Sequence, residues 1–171
     1  KSRHRQRLKL EHLEARLALA ASPFEVDLEA IAPNLAHDAR LRVVPIAGTP
    51  QVQVVDVSGT VLAQRVLTDV SEVRIAGGPK NDTLTIDFST PFSLPVRFDG
   101  GEGIDSAQIA GAGLISNVIT ILGVDSGTIE SKTATSTTNT TFAGLESIRD
   151  SSGGAKSIVG TASVDDLSAR D

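Results

Sequence analysis

From about residue 40 onward, the chain carries short runs in which aliphatic and β-branched residues alternate with polar ones. Gly, Pro, Asp and Ser separate the runs, which read LRVVPI, VQVVDV, TVLAQRVL, EVRIAGG, DTLTIDF, PVRFDGG and NVITILG. A period of two with breaks at turn-forming residues is typical of short β-strands. The pattern therefore predicts an all-β body. Within it, VQVVDVSGTVLAQRV predicts a hairpin that turns at Ser58 and Gly59.

The first twenty residues follow a different period. Leu10, Leu13 and Leu17 recur at spacings of three and four among Arg, Lys and Glu, which predicts a short basic amphipathic helix. Ser22 and Pro23 end this pattern. We therefore divide the chain into a basic head (1–21), a linker (22–40) and a β-repeat body (41–171), and we expect the body to continue beyond residue 171.

Two segments of the body are copies of each other. VRIAGGPKNDTLTI (73–86) and VRFDGGEGIDSAQI (96–109) share Val, Arg, Gly, Gly, Asp and Ile at an offset of 23 residues. A weaker copy, KSIVGTASVDDLSA (156–169), aligns Ile158 with Ile75 and Asp165 with Asp82. Such a period predicts a β-helix or solenoid with one coil per repeat. A β-sandwich fits the same strand pattern and is the alternative.

Composition and charge narrow the range of functions. The chain has no Cys, Met, Trp or Tyr and only five Phe, so a core must come from Val, Ile, Leu and Ala, and thiolate chemistry is excluded. The net charge is −5, yet residues 1–21 carry six Lys and Arg against two Glu. The remaining body is acidic, which argues against a nucleic-acid partner. The sequence contains no run of 18 apolar residues, so it predicts no transmembrane helix.

The residue types needed for catalysis are poorly placed. All three histidines, His4, His12 and His37, precede the predicted strands, and neither a G-x-S-x-G motif nor a phosphate-binding loop occurs. Without Trp or Tyr there is no aromatic platform for sugar stacking. We therefore expect no enzyme activity. The alternative is a non-catalytic part of a carbohydrate-acting β-helix enzyme whose catalytic part lies beyond residue 171.

The head resembles a known export motif. LEHLEARLALA (10–20) is similar to the LEPR-XLL motif, L-E-x-L-E-x-R-x-L-L-A, of large exported proteins of planctomycete-type bacteria, and it departs from the motif at Ala15 and Ala18. SGTIESKT and TFAGLESI are also similar to a segment that recurs in that family. The resemblance implies a secreted or cell-surface protein with a structural or adhesive role, and envelope or matrix polymers as partners.

The glycine–aspartate turns resemble the RTX-type calcium nonapeptide, G-G-x-G-x-D-x-U-x. Glycine carbonyls and an aspartate carboxylate are the oxygen ligands that Ca²⁺ prefers, and one turn supplies half of a cage. Lys80 and Ala107 depart from the pattern, and the copies lie 23 residues apart rather than back to back. The alternative is that the turns are purely structural and the chain is a ligand-free spacer. The candidate calcium ligands are Asp82, Asp105, Gly77, Gly78, Gly100, Gly101, Gly103, Asp99 and Asp165.

Overall fold

The computed structural model describes residues 20–160 and 168–170, and this part of the chain is almost entirely β-structure. The predicted all-β class is confirmed. The head, with its expected amphipathic helix and export motif, lies almost wholly outside the described residues. The strands are β1 (Ser22–Asp27), β2 (Asp38–Ile46), β3 (Thr49–Asp56), β4 (Val61–Val66), β5 (Val70–Gly78), β6 (Thr83–Asp87), β7 (Val96–Gly101), β8 (Ser106–Ala110), β9 (Leu114–Ile121), β10 (Gly127–Thr133), β11 (Thr137–Ala143), β12 (Ser147–Asp150), β13 (Ala155–Val159) and β14 (Ser168–Arg170).

The strands form two mixed sheets of seven strands each. Sheet A has the order β1-β5-β7-β11-β10-β9-β13, and sheet B has the order β14-β12-β8-β6-β2-β3-β4. From β5 to β8 the chain alternates between the sheets at every turn. Consequently β5 and β7 pair in parallel in sheet A, while β6 and β8 pair in parallel in sheet B.

The sequence offset of 23 residues between the two copies is also the difference in number between paired residues in these parallel strands. In sheet A, Ile75 lies opposite Phe98, and in sheet B, Thr83 lies opposite Ser106. The two good copies therefore stack on each other residue by residue. The weak third copy does not follow this alignment, because Ile158 lies opposite Ile119 rather than in the row of Ile75 and Phe98.

Two antiparallel insertions interrupt the alternation. The β3–β4 hairpin extends sheet B beyond β2 and turns at Gly59, which has a φ of 87°, so the predicted hairpin is confirmed. Strands β9 and β10 lie in sheet A beyond β11, and each pairs antiparallel with the next. We use the word coil for a strand of sheet A together with the strand of sheet B that follows it, such as β5 and β6. Because the insertion precedes β11, the next coil follows after more than 23 residues, with Thr140 opposite Val96.

Residues 22–27 and 38–40, which the sequence assigned to a linker, lie in strands β1 and β2. β1 pairs in parallel with β5 and buries Phe24 and Val26, and the four-residue helix α1 (Leu28–Ile31) buries Leu28. The alternation in SPFEVD is too short to be recognised as a strand from sequence alone. In the part of the chain that the structure describes, no helix has the length and apolarity required to cross a membrane.

The core lies between the sheets. Ile75, Phe98 and Phe142 form an inward row across three neighbouring strands, and Phe88 stacks on Phe92 with ring centroids 4.9 Å apart. The threonine-rich segment 131–141 contributes to β10 and β11. Alternate residues of β11, including Thr138 and Thr140, are buried. This end of the core is therefore partly polar.

Candidate functional site

The glycine–aspartate turns lead from sheet A into sheet B. Asp82 immediately precedes β6, and Asp105 immediately precedes β8. Because Asp38, Thr83, Ser106 and Ser147 lie in register in sheet B, the residues before them are also equivalent. Successive coils therefore place four side chains in one row at this edge, which are His37, Asp82, Asp105 and Glu146.

Each acidic side chain of this row accepts the main-chain N–H of the equivalent residue in the preceding coil. The His37 N–H donates to Asp82 Oδ1 at 2.7 Å, and the Asp82 N–H donates to Asp105 Oδ1 at 2.6 Å. The Asp105 N–H donates to Glu146 Oε2 at 2.5 Å. We call this series the carboxylate ladder. Charge-assisted hydrogen bonds of this kind are stronger than neutral ones, so the ladder ties neighbouring coils together.

Asp82 is fully buried, and N–H donors surround both of its oxygens. Oδ2 accepts the Gly78 N–H at 2.6 Å, which closes the turn on itself. Oδ1 accepts the His37 N–H and lies 2.9 Å from His37 Nδ1. Both oxygens of this buried carboxyl group are therefore occupied by hydrogen bonds within the protein.

His37 occupies the first position of the row and bridges two acceptors. Its Nε2 lies 3.1 Å from the carbonyl oxygen of Ala32, which can only accept a hydrogen bond. Its Nδ1 faces the Asp82 carboxylate. The imidazole therefore ties the loop after α1 to the carboxylate ladder.

Asp105 occupies the equivalent position but is less well satisfied. Its Oδ1 accepts the Asp82 N–H, whereas its buried Oδ2 has no hydrogen-bond partner. Gly101, the counterpart of Gly78, has a φ of 96°, and its N–H does not bond to Oδ2. Burial raises the pKa of Asp105, and the charges of Asp82 and Glu146 raise it further. The hydrogen bond from the Asp82 N–H lowers the pKa of Asp105.

The first glycine of each turn is required by close packing between coils. A Cβ on Gly77 would lie 2.2 Å from the carbonyl oxygen of Gly100 and 2.5 Å from Asp82 Oδ2. A Cβ on Gly100 would lie 2.2 Å from the carbonyl oxygen of Gly144 and 2.6 Å from the Asp105 side chain. These glycines therefore let each carboxylate fold beneath its own turn while the next coil packs on top.

The hydrogen bonds of Asp82 compete with calcium binding. Ca²⁺ is held by oxygen ligands, and both oxygens of Asp82 already accept N–H groups. The Gly78 carbonyl, a predicted ligand, accepts the Glu102 N–H. Among residues 20–160, no three Asp, Glu or His side chains converge as a metal-binding group.

The other predicted ligands are distributed around the second turn. Asp105 Oδ2 is the one aspartate oxygen among them that is buried and unpartnered in the described structure. Asp99 is exposed in β7, and its charge also raises the pKa of Asp105. Gly103 has a φ of 130° and packs against the main chain of Lys80, which explains a glycine there without a metal. Asp165 lies outside the described residues.

Sequence reasoning missed His37 and Glu146 as members of the row. The usable signal was an acid followed by Thr or Ser and then an apolar residue, as in Asp82-Thr83-Leu84, Asp105-Ser106-Ala107 and Glu146-Ser147-Ile148. The inserted β9 and β10 moved the third example away from the 23-residue spacing. In the first coil the acid is replaced by a histidine, so the row was not recognisable there.

Comparison of the chain with protein-family models, with curated proteins and with solved structures found no match. The geometry of the described residues therefore carries the functional argument.

The same substitution at the two aspartates should have opposite effects at neutral pH. Asp82→Asn replaces an acceptor by a donor that must face an N–H group, and we expect a loss of about 1–3 kcal/mol in the free energy of unfolding. Asp105→Asn keeps one acceptor for the Asp82 N–H and removes a poorly satisfied buried charge, so we expect a gain. Urea denaturation of both variants and the unsubstituted protein measures the difference.

The gain from Asp105→Asn should depend on pH. Because the pKa of Asp105 in the folded state is raised, the folded protein binds this proton more tightly than the unfolded chain does. Ionisation therefore costs stability as the pH rises from the ordinary carboxyl pKa through the folded value. The gain should be largest above the folded pKa and should shrink towards zero below about pH 4, the ordinary range of a carboxyl pKa. A gain that does not change with pH would contradict this account of Asp105.

Gly100→Ala should destabilise the protein by steric overlap. The new methyl group would overlap the Gly144 carbonyl, and overpacking of this kind costs about 1–3 kcal/mol or more. Gly153→Ala is the matched control, since a Cβ at Gly153 meets nothing within 4 Å and Gly153 has no positive φ. Thermal unfolding of the two variants should show a lower Tm for Gly100→Ala alone. Equal Tm values would show that the coils are not closely packed at this edge.

Proposed function

We propose that residues 22–171 form a non-catalytic structural module of a protein exported to the cell surface or extracellular matrix. In this proposal the two sheets are the faces of a β-solenoid. The observation that carries the proposal is the carboxylate ladder, in which equivalent residues of successive coils bind one another. The most polar groups of the repeat are thereby used to hold the repeat together.

The strand connections support a solenoid over a sandwich. Strands β1, β5, β7 and β11 follow one another in parallel in sheet A, as do β2, β6, β8 and β12 in sheet B. A sandwich built from hairpins and Greek keys would pair its strands mainly antiparallel. Repeats that bury a face against their neighbours, as these do, can form extended rods.

The head supports the exported location. Its resemblance to the LEPR-XLL motif implies export, and the absence of cysteine is compatible with a protein that the coil-to-coil bonds stabilise without disulfides. The anionic body is consistent with a surface role, because a net charge far from zero favours solubility. A structural module of this kind would act as a spacer or a stalk.

An adhesive role is supported by the outer face of sheet B. Two neighbouring clefts of about 330 and 460 Å³ lie on this face and share Thr83 and Gln108. Hydroxyl, amide and guanidinium groups line them, with Arg40 in one and Arg149 in the other. Acidic groups such as Asp38 and Glu146 balance the arginines, so a neutral polysaccharide fits this surface better than a charged one. This is the second candidate function, and it corresponds to the expected envelope or matrix polymers.

A calcium titration separates the self-sufficient module from a calcium-stabilised one. We expect no saturable heat when the protein is titrated with Ca²⁺ by calorimetry, and no change of Tm in excess EDTA. The reason is that both carboxyl oxygens of Asp82 already accept N–H groups. Saturable binding that raises Tm would instead support the calcium-stabilised alternative. Loss of that binding in Asp105→Asn would then place the ion at the second turn.

Polysaccharide binding tests the adhesive candidate. We expect hydroxyethyl cellulose, a neutral polymer, to retard the protein in affinity electrophoresis, and Arg149→Ala to weaken the interaction by about tenfold through loss of one well-placed donor group. Arg97→Ala, on the outer face of sheet A, is the control and should bind normally. If both variants migrate like the unsubstituted protein, or if no retardation occurs, sheet B is not the adhesive surface for such polymers.

A further inference from the structure

The core becomes polar at the end of the module that contains β9 to β13. Asn117, Ser131 and Thr138 lie opposite one another on β9, β10 and β11, and all three are buried. Asp150 and Ser152 are buried against them from the other side. Elsewhere the described core is largely Val, Ile, Leu and Phe. A buried polar cluster in such a core requires a specific explanation.

The carboxyl group of Asp150 is the centre of this cluster. Its Oδ2 lies 2.7 Å from Asn117 Nδ2, and its Oδ1 accepts the Ser152 N–H at 2.8 Å. The Ser152 hydroxyl lies 3.0 Å from the same Asn117 nitrogen. The side-chain amide of Asn117 is therefore held between a carboxyl group and a hydroxyl group. The Oδ1 atom of Asn117 is buried and has no hydrogen-bond partner.

A lysine amine approaches the same carboxyl residue. Lys156 lies on β13 directly opposite Asn117 on β9, in a parallel pair. Neighbouring strands are about 4.8 Å apart, and opposite residues project from the same face of a sheet. Lys156 Nζ donates to the main-chain carbonyl oxygen of Asp150 at 3.0 Å. The register and this contact therefore bring the Lys156 side chain to the residue whose carboxyl group binds Asn117.

We propose that Lys156 and Asn117 become joined by an intramolecular isopeptide bond, with Asp150 as the group that carries the proton. Lys156 transfers a proton to the Asp150 carboxylate and becomes a neutral amine. The lone pair of Nζ attacks Cγ of Asn117, so that an Nζ–Cγ bond forms and the Cγ–Nδ2 bond breaks. The departing NH₂ group takes one proton from the Asp150 carboxyl and leaves as ammonia, while Nζ passes one of its hydrogens to the Asp150 carboxylate. No oxidant, reductant or other reactant is required.

The surroundings of Asn117 suit this reaction after one side-chain rotation. A half-turn of the amide about its Cβ–Cγ bond exchanges Oδ1 and Nδ2. The carbonyl oxygen then faces the protonated Asp150 carboxyl and the Ser152 hydroxyl, and both can donate to it. Two donors placed where negative charge develops stabilise the tetrahedral intermediate. The strand register supplies the second requirement, because it places Lys156 beside Asn117 on the neighbouring strand.

The consequence of the bond would be mechanical. β13 is the edge strand of sheet A, and every residue in it is exposed. A covalent link from Lys156 to Asn117 would fix this strand to β9 and close the end of the sheet. The neutral amine is the nucleophilic form of a lysine, so the reaction should proceed faster as the pH rises.

The test is the mass of the intact full-length protein, measured under denaturing conditions after purification and again after incubation at about pH 9, where more of the lysine is neutral. We expect a mass lower than the sequence mass by one ammonia. After trypsin digestion, we expect the peptide that contains Asn117 to remain joined to the one that contains Lys156. The sequence mass in both samples would overturn the proposal.

Three variants locate the reaction. Lys156→Arg keeps the positive charge and removes the nucleophile, so it should fold and retain the full mass. Asp150→Asn should also retain the full mass, and its circular dichroism should confirm that it has folded. Lys132→Arg, on the outer face of β10, is the matched control and should lose ammonia normally. Ammonia loss that persists in Lys156→Arg would show that it arises at another residue and would contradict the proposed bond.

Discussion

The hydrogen bond from a main-chain N–H of one coil to a carboxylate of the next is the interaction on which the arrangement depends. The turns between the sheets must carry polar main-chain groups into an edge that the next coil covers, and a buried N–H without a partner is costly. Acids at the turn provide the acceptors. Because the acceptor belongs to the neighbouring coil, the same bond also sets the register between coils, and the aliphatic rows of both sheets follow from that register.

The glycines are a consequence of this interaction. A carboxylate that reaches back beneath its own turn occupies the space of a side chain, so the residue above it cannot carry a Cβ. The Gly-Gly and Asp of the motif are therefore two parts of one arrangement. A calcium-binding turn and a turn closed by its own N–H groups both require glycine and aspartate at this spacing, so composition and spacing alone do not distinguish them. The difference lies in which atoms point at the carboxylate, and only the fold determines that.

This explains how far the sequence could predict the molecule. Alternation identified the strands of the body, and the copies at 73–86 and 96–109 predicted the stacking partners, because identical residues in register report on repeated packing. Strand β1 was missed because Phe24 and Val26 give too short an alternation beside a proline. The roles of His37 and Glu146 were missed because one differs in chemical type and the other follows an insertion. The inward-facing threonines of β11 were also unexpected, since residue type alone suggests that such a segment faces solvent.

The histidine at the first position makes the two ends of the carboxylate ladder chemically different. Along the row, one imidazole ring is followed by Asp82, Asp105 and Glu146, so the acids lie towards one end and the first position carries none. The two ends of the stack therefore differ in electrostatic potential, much as the two ends of an α-helix do. In a rod assembled from such modules, the charge would change in the same direction along every module. A head-to-tail contact would bring unlike ends together, whereas a head-to-head contact would bring like ends together.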